Sequence, residues 1–390
     1  MTSTRTQSLR ALAALALLGS LVAGCSSEDS AQADDSAQTS STPEREYDFS
    51  AVEPIIEAFI AEHGLNGAGL VVVEKDDGIV GEQYFGDVDA DRVSLVASAS
   101  KMVTAGVLVR LADQGVLDLD QPIAEYVDWA EGHNPEVTVA QLLSSSSGLV
   151  GLMPNPTYGP YICQFVPTAK MQDCAGTAWA TPDDDADIVA PDTEWRYGGV
   201  QWQIAGAVAE TVSGKPWSEL LEETYIEPCG VESLGYNNHW AQIGDGLSGY
   251  PDEFGGDPGT LAPTENPHME GGLYIDPVDY GELLLLHLRE GRCGDTQVLE
   301  PESVERMHAD RVGETYGGET MTGAGYGFGW WVDRDDTGRI TDPGAYGTLP
   351  WLDLDDDFGA YLVLEAEAEL GLMLAAQLYD EVEAAVAAAR

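Results

Sequence analysis

A chain of 390 residues that is 44% hydrophobic holds enough apolar material for a sizeable buried core, which excludes disorder throughout and leaves room for one large domain or two ordinary ones. With 17 Lys and Arg against 68 Asp and Glu, the formal net charge is −51, and no basic stripe exists to displace counterions, so a nucleic-acid partner is excluded. The acidic excess reads as a surface adaptation, either to high salt or to solubility.

The first 24 residues carry Arg5 and Arg10, no acid, and then an apolar run from Ala11 to Ala23. That run is too short to span a bilayer permanently and suits an export signal. It ends in Leu21-Val22-Ala23-Gly24-Cys25, which resembles the lipobox of bacterial lipoproteins. The resemblance implies cleavage before Cys25, lipidation of that cysteine and attachment to the outer face of a membrane. Residues 25–46, rich in Ser, Asp, Ala and Gln, read as a flexible acidic tether, and residues 47–390 as the folded domain.

Val52, Ile55, Ile56, Phe59 and Ile60 recur at helical spacing between Phe49 and His63, so an amphipathic helix opens the domain. Gly69–Val73 and Ile79–Phe85, separated by Asp76-Asp77-Gly78, read as a hairpin. Ser98 to Gly115 is apolar nearly all round until Arg110, the pattern of a helix in the middle of a protein. From about residue 119 to 296 the pattern is mostly helical, including Gln201–Val212 and Pro277–Arg289. Strand-like runs return at Gly327–Asp333, Gly347–Leu352 and Gly359–Leu364, before an Ala-rich helix from Glu381. This order implies an α+β fold: an antiparallel sheet flanked by helices, with a mostly helical subdomain inserted at about 119–296.

With Cys25 consumed by lipid, four cysteines remain, and they allow three pairings. Cys163 with Cys174 and Cys229 with Cys293 is favoured, because Pro228-Cys229-Gly230 and Gly291-Arg292-Cys293-Gly294 are both turn-like. No C-x-x-C spacing or paired histidines suggest a metal, and no cofactor motif is present.

Ser98 and Lys101 stand three apart on one face of the central helix, a face that continues through Met102, Ala105 and Leu108. A lysine in such a dry setting loses its proton more easily and can serve as base to the adjacent hydroxyl. Ser98-Ala99-Ser100-Lys101 with the flanking Ala97 and Met102 resembles the first motif of class C β-lactamases and their relatives, the penicillin-binding proteins and related esterases. The match continues in order through Leu117–Ile123, Val137–Leu143 and Ser147-Gly148-Leu149. Tyr197-Gly198-Gly199 resembles the second motif, Y-x-N, with Gly199 in place of the asparagine, so water or another residue must replace that side chain. Asp342-Pro343-Gly344-Ala345 is similar by position to the third motif, with Asp342 where the family keeps a lysine or histidine.

The resemblance implies acyl-enzyme chemistry on an ester or amide. Ser98 is the nucleophile, Lys101 and Tyr197 handle its proton, and the backbone N–H groups of Ser98 and Ala345 form the oxyanion hole. Gly199, Asp342 and Gly344 would meet the substrate, a small molecule or peptide, and Asp342 would repel a substrate carboxylate. The two departures, Gly199 and Asp342, also raise the alternative of a cell-surface binding protein on a catalytically weakened scaffold. The sequence says nothing of oligomeric state.

Overall fold

The computed structural model describes residues 45–390, apart from 132–133, 135, 153–158, 181–187, 241, 243–249, 251–256 and 336. The signal segment, Cys25 and all but the last two residues of the tether lie outside the described residues.

Among the described residues twelve strands follow in chain order: β1 (Gly67–Glu74), β2 (Gly78–Gly86), β3 (Ser94–Leu95), β4 (Gly235–Tyr236), β5 (Leu273–Ile275), β6 (Arg292–Cys293), β7 (Thr296–Gln297), β8 (Gly325–Tyr326), β9 (Trp331–Val332), β10 (Arg339–Thr341), β11 (Leu349–Asp353) and β12 (Phe358–Val363). Seven of them form one antiparallel sheet in the order β2-β1-β12-β11-β10-β9-β8, so the two ends of the domain meet at the β1–β12 pair. Because side chains alternate along a strand, β1 serves two cores at once. Val71 and Val73 face the helical side with Tyr361 and Val363 of β12. Ala68, Leu70 and Val72 join Ala360 and Leu362 on the other side, beneath the first and last helices, Glu53–His63 and Ala368–Ala389.

The helix Pro277–Leu288, capped by Asp276 accepting from the Asp279 N–H, falls within the stretch read as the helical insertion but packs on β1 and β12. Tyr280 stacks on Tyr361 with ring centroids 4.0 Å apart, and its hydroxyl donates to the Ala99 carbonyl at 2.8 Å. This helix thereby ties the sheet to the segment carrying Ser98. The last helix begins at Ala368 rather than Glu381. Gly371 hides its start in the sequence, and that glycine is needed: a Cβ there would lie 2.5 Å from the Gly347 carbonyl oxygen.

Both favoured disulfides are formed, Cys163–Cys174 and Cys229–Cys293, with Cα separations of 5.5 and 4.9 Å. The second joins the short helix Glu227–Cys229 to the β6–β7 hairpin.

Candidate active site

Three segments distant in sequence converge on Ser98. A small second sheet, ordered β3-β5-β4, pairs Ser94 with Ile275 and Leu95 with Tyr274. The same antiparallel pairing, carried past the strands, brings Ser98 level with Glu270 and Gly271, and the Leu273 N–H donates to Ser100 Oγ at 3.0 Å. The third-motif segment docks on the other side. Gly344 lies against the Val96 carbonyl with no room for a Cβ, while Thr348 Oγ1 donates to that carbonyl at 2.9 Å. Ala97, between these supports, holds a left-handed φ of 47°, a conformation costly for an L-residue and concentrated at functional sites. Ser98 and Ser100 belong to a 3₁₀ turn, Ala97–Ser100, that feeds the helix Lys101–Asp113.

Lys101 is fully buried. Its Nζ donates to Ser98 Oγ at 2.9 Å and to the Glu270 carbonyl at 3.0 Å, lies 3.6 Å from Glu270 Oε2, and sits 4.6 Å from the Tyr197 ring centroid. Burial pushes the ammonium toward deprotonation, but Tyr197, Glu270 and Asp342 together outweigh it, so its pKa lies above the ordinary lysine value. This corrects the reading of Lys101 as a lysine that sheds its proton in apolar surroundings: the helix face is apolar, but the neighbours across from it are acids.

Tyr197 is placed by a pinned loop. Arg311 grips Asp192 through two bonds of 2.7 and 3.1 Å, and Asp192 also accepts from Gln141 and Ser146. The Leu152 N–H donates to the Tyr197 carbonyl at 2.7 Å, and Trp195 and Trp331 pack on its ring. Its hydroxyl interacts with Ser98, while burial keeps the phenol above its ordinary pKa and Lys101 opposes that rise.

Glu270 is the residue that sequence reasoning missed. Its Oε2 accepts the Gly199 N–H at 2.7 Å, and a Cβ on Gly198 would run into the same oxygen. It therefore occupies the space beside Lys101 that the glycines at 198 and 199 leave open. Gly199 itself is buried, gives its N–H to Glu270 and is not among the cavity-lining residues, so its expected contact with substrate is corrected. Burial raises the Glu270 carboxyl pKa, with Lys101 and the Gly199 N–H pulling the other way. Behind it, Trp240 Nε1 donates to His268 Nδ1 at 3.1 Å, and His268 Nε2 lies 3.7 Å from Glu270 Oε1. Burial, with help from the Lys101 charge, keeps His268 neutral. The one sequence signal was an acid before a pair of glycines, His268-Met269-Glu270-Gly271-Gly272; Gly272 marks close backbone contact with Asn237.

Asp342 is also placed otherwise than its position in the third motif suggested. It is fully buried at the start of the central helix, where Oδ2 accepts the Met102 N–H at 3.2 Å. There it accepts one of the first N–H groups of the helix, which have no partner within the helix itself. It does not line the cavity, so it cannot touch a substrate carboxylate.

Ser98, Tyr197, Glu270, Gly344 and Ala345 line one cavity of about 340 Å³, walled by Leu152, Phe165, Trp240, Met321, Trp331 and Leu372. No Lys or Arg is found among its described lining residues.

The β-lactamase family model matches residues 52–390. Penicillin-binding protein 4 of Amycolatopsis lactamdurans is 24% identical over 311 residues, 73% of this chain and 75% of the relative. Esterase EstB of Burkholderia gladioli is 23% identical over 334 residues, 75% of this chain and 79% of the relative. Among solved structures, a putative β-lactamase from Bacteroides dorei superposes with a TM-score of 0.68 at 25% identity, covering 86% of this chain and 99% of that one.

Proposed function

The chain belongs to the β-lactamase family of serine hydrolases, and from that membership we propose that it cleaves uncharged esters or amides with an apolar acyl group, on the outer face of a membrane. The observation that carries this reading is the Ser98–Lys101 contact of 2.9 Å opening onto an apolar cavity without a described cation. The substrate carbonyl enters with its oxygen toward the backbone N–H groups of Ser98 and Ala345, which stabilise the negative charge that develops there. Ser98 Oγ attacks, its proton passes into the Lys101–Tyr197 cluster, and the leaving group departs with a proton returned from it. Water then releases the acyl-enzyme. The apolar walls take up the acyl chain at about 0.8 kcal/mol per buried CH₂. A β-lactam carboxylate finds no described cation in the cavity, and this replaces repulsion by Asp342 as the reason for preferring esters. Intact contacts among Ser98, Lys101 and Tyr197 favour an enzyme over a weakened binding protein. The export signal and the lipobox Cys25 support the outward, anchored location.

The test combines fluorophosphonate labelling with a substrate panel. Ser98→Ala abolishes labelling and turnover, while Lys101→Ala and Tyr197→Phe each lower kcat by about 10²-fold or more, without adding. For a p-nitrophenyl ester, kcat/KM exceeds that for a chromogenic cephalosporin by at least about 10²-fold. Full activity in Ser98→Ala, or equal efficiency on both substrates, refutes the reading. Cys25→Ser releases the protein from membranes in detergent-free extracts; retention there refutes the anchor.

A further inference from the structure

We infer that Glu270 is the terminal proton acceptor of the acylation step, receiving through Lys101 the proton that leaves Ser98. The inference rests on Ser98 being the nucleophile and concerns where its proton goes.

Lys101 already donates to Ser98 Oγ and to the Glu270 carbonyl, and its carboxylate neighbours favour the ammonium form, which has no lone pair for a further proton. Tyr197 is kept a phenol by burial. Some other group must accept. Asp342 aims Oδ2 at the backbone N–H of Met102 and lies outside the cavity. Glu270 Oε2 lies 3.6 Å from Lys101 Nζ, so a shift of under about 1 Å completes a hydrogen bond. The opposite side of the carboxylate is built to match. Trp240 can only donate, so its bond to His268 Nδ1 leaves the proton of the neutral imidazole on Nε2, 3.7 Å from Glu270 Oε1. Among the described residues Oε1 and His268 Nε2 have no hydrogen-bond partner. The titratable groups that interact with Glu270 are Lys101, His268, Tyr197 and Tyr326, with Asp342 acting on it through Lys101.

The step balances. Lys101 first gives one of its protons to Glu270 Oε2, which frees the Nζ lone pair. As Ser98 Oγ bonds to the carbonyl carbon, the π pair moves to the carbonyl oxygen, the Oγ proton passes to that lone pair and Lys101 is again an ammonium. When the tetrahedral intermediate collapses, the bond to the leaving oxygen or nitrogen breaks. The proton returns through Lys101 to the leaving group, and Glu270 is again a carboxylate.

Pre-steady-state acylation by p-nitrophenyl butyrate tests this. Glu270→Gln keeps the acceptor for the Gly199 N–H but cannot take a proton, and its burst rate falls at least about 100-fold. The wild-type burst rate falls as pH drops through the Glu270 pKa, above the ordinary carboxylate range, and the residual rate of Glu270→Gln lacks that acid limb. In Glu270→Ala, added formate restores the burst by at least about 10-fold and formamide does not. A Glu270→Gln burst within threefold of wild type overturns the inference. So does formate rescue no better than formamide, which assigns Glu270 a space-filling role. A wild-type protein that neither labels with fluorophosphonate nor shows a burst instead overturns Ser98 as nucleophile.

Discussion

Asp342 shows how a single buried carboxyl couples stability to pH. Burial raises its pKa well above the ordinary value, with the Lys101 charge and the N–H groups at the helix start opposing. A group whose folded-state pKa exceeds its unfolded value of about 3.9 gives full stability below that value and loses it as pH rises toward the folded-state pKa. Asp342→Asn keeps an acceptor for the Met102 N–H and removes the titration. Relative to wild type the variant therefore gains stability with rising pH, by up to about 1.4 kcal/mol per unit above pH ~4. Urea midpoints at pH 5 and pH 8 measure this; a difference that does not change with pH contradicts the account. The same residue marks the limit of reading a site from sequence. Ser98 and Lys101 were legible because they are helix neighbours, and Tyr197 because its loop adjoins a helix start. The groups that set the charge of Lys101 were not. Glu270 arrives 169 positions from Lys101, and Asp342 240 positions from Met102, brought in by strand pairings that no local spacing encodes.

At the scale of elements, long periodic segments were legible and contact-defined ones were not. The β1–β2 hairpin shows in the sequence because two strand-forming runs flank the turn residues Asp76-Asp77-Gly78. β3, β4 and β5, two or three residues each, exist only because they pair with one another. Ala368–Ala389 was legible only in its later half, since a glycine inside a helix normally argues against one. Here Gly371 lets the helix press on Gly347, just beyond Ala345 of the cavity lining. Gly371→Ala would favour the helix locally yet force the two backbones apart. We expect a net destabilisation of about 1–3 kcal/mol and a fall in kcat larger than any change in KM, because the displaced segment carries the Ala345 N–H proposed for the oxyanion hole. Chemical denaturation together with steady-state kinetics checks both; an unchanged kcat separates Gly371 from the site.

For the whole molecule the governing number is the net charge of −51. So large an excess repels itself at low ionic strength, and the Debye length shrinks from about 10 Å at 0.1 M to about 3 Å at 1 M salt. Thermal midpoints should therefore rise between 0.05 and 1 M NaCl, by several degrees. Over the same range kcat/KM for a carboxylate-bearing ester should climb, while that for a neutral ester stays level. A salt-independent midpoint, or equal salt effects on the two esters, would show that the acids are neutralised by local pairing rather than acting as one field.

The apolar wall of the cavity has a chemical vulnerability of its own. Met321 lines the cavity and is 62% exposed, beside Leu372 at 50%. A thioether so open to solvent is readily oxidised to the sulfoxide, which turns a flexible apolar side chain into a polar one. Mild peroxide should then weaken the capture of long acyl chains while leaving fluorophosphonate labelling of Ser98 intact. A methionine sulfoxide reductase would restore capture, and Met321→Leu would be largely resistant. Loss of acyl-chain preference under oxidative stress, without loss of the nucleophile, is what an oxidisable residue in the wall of a binding site leads one to expect.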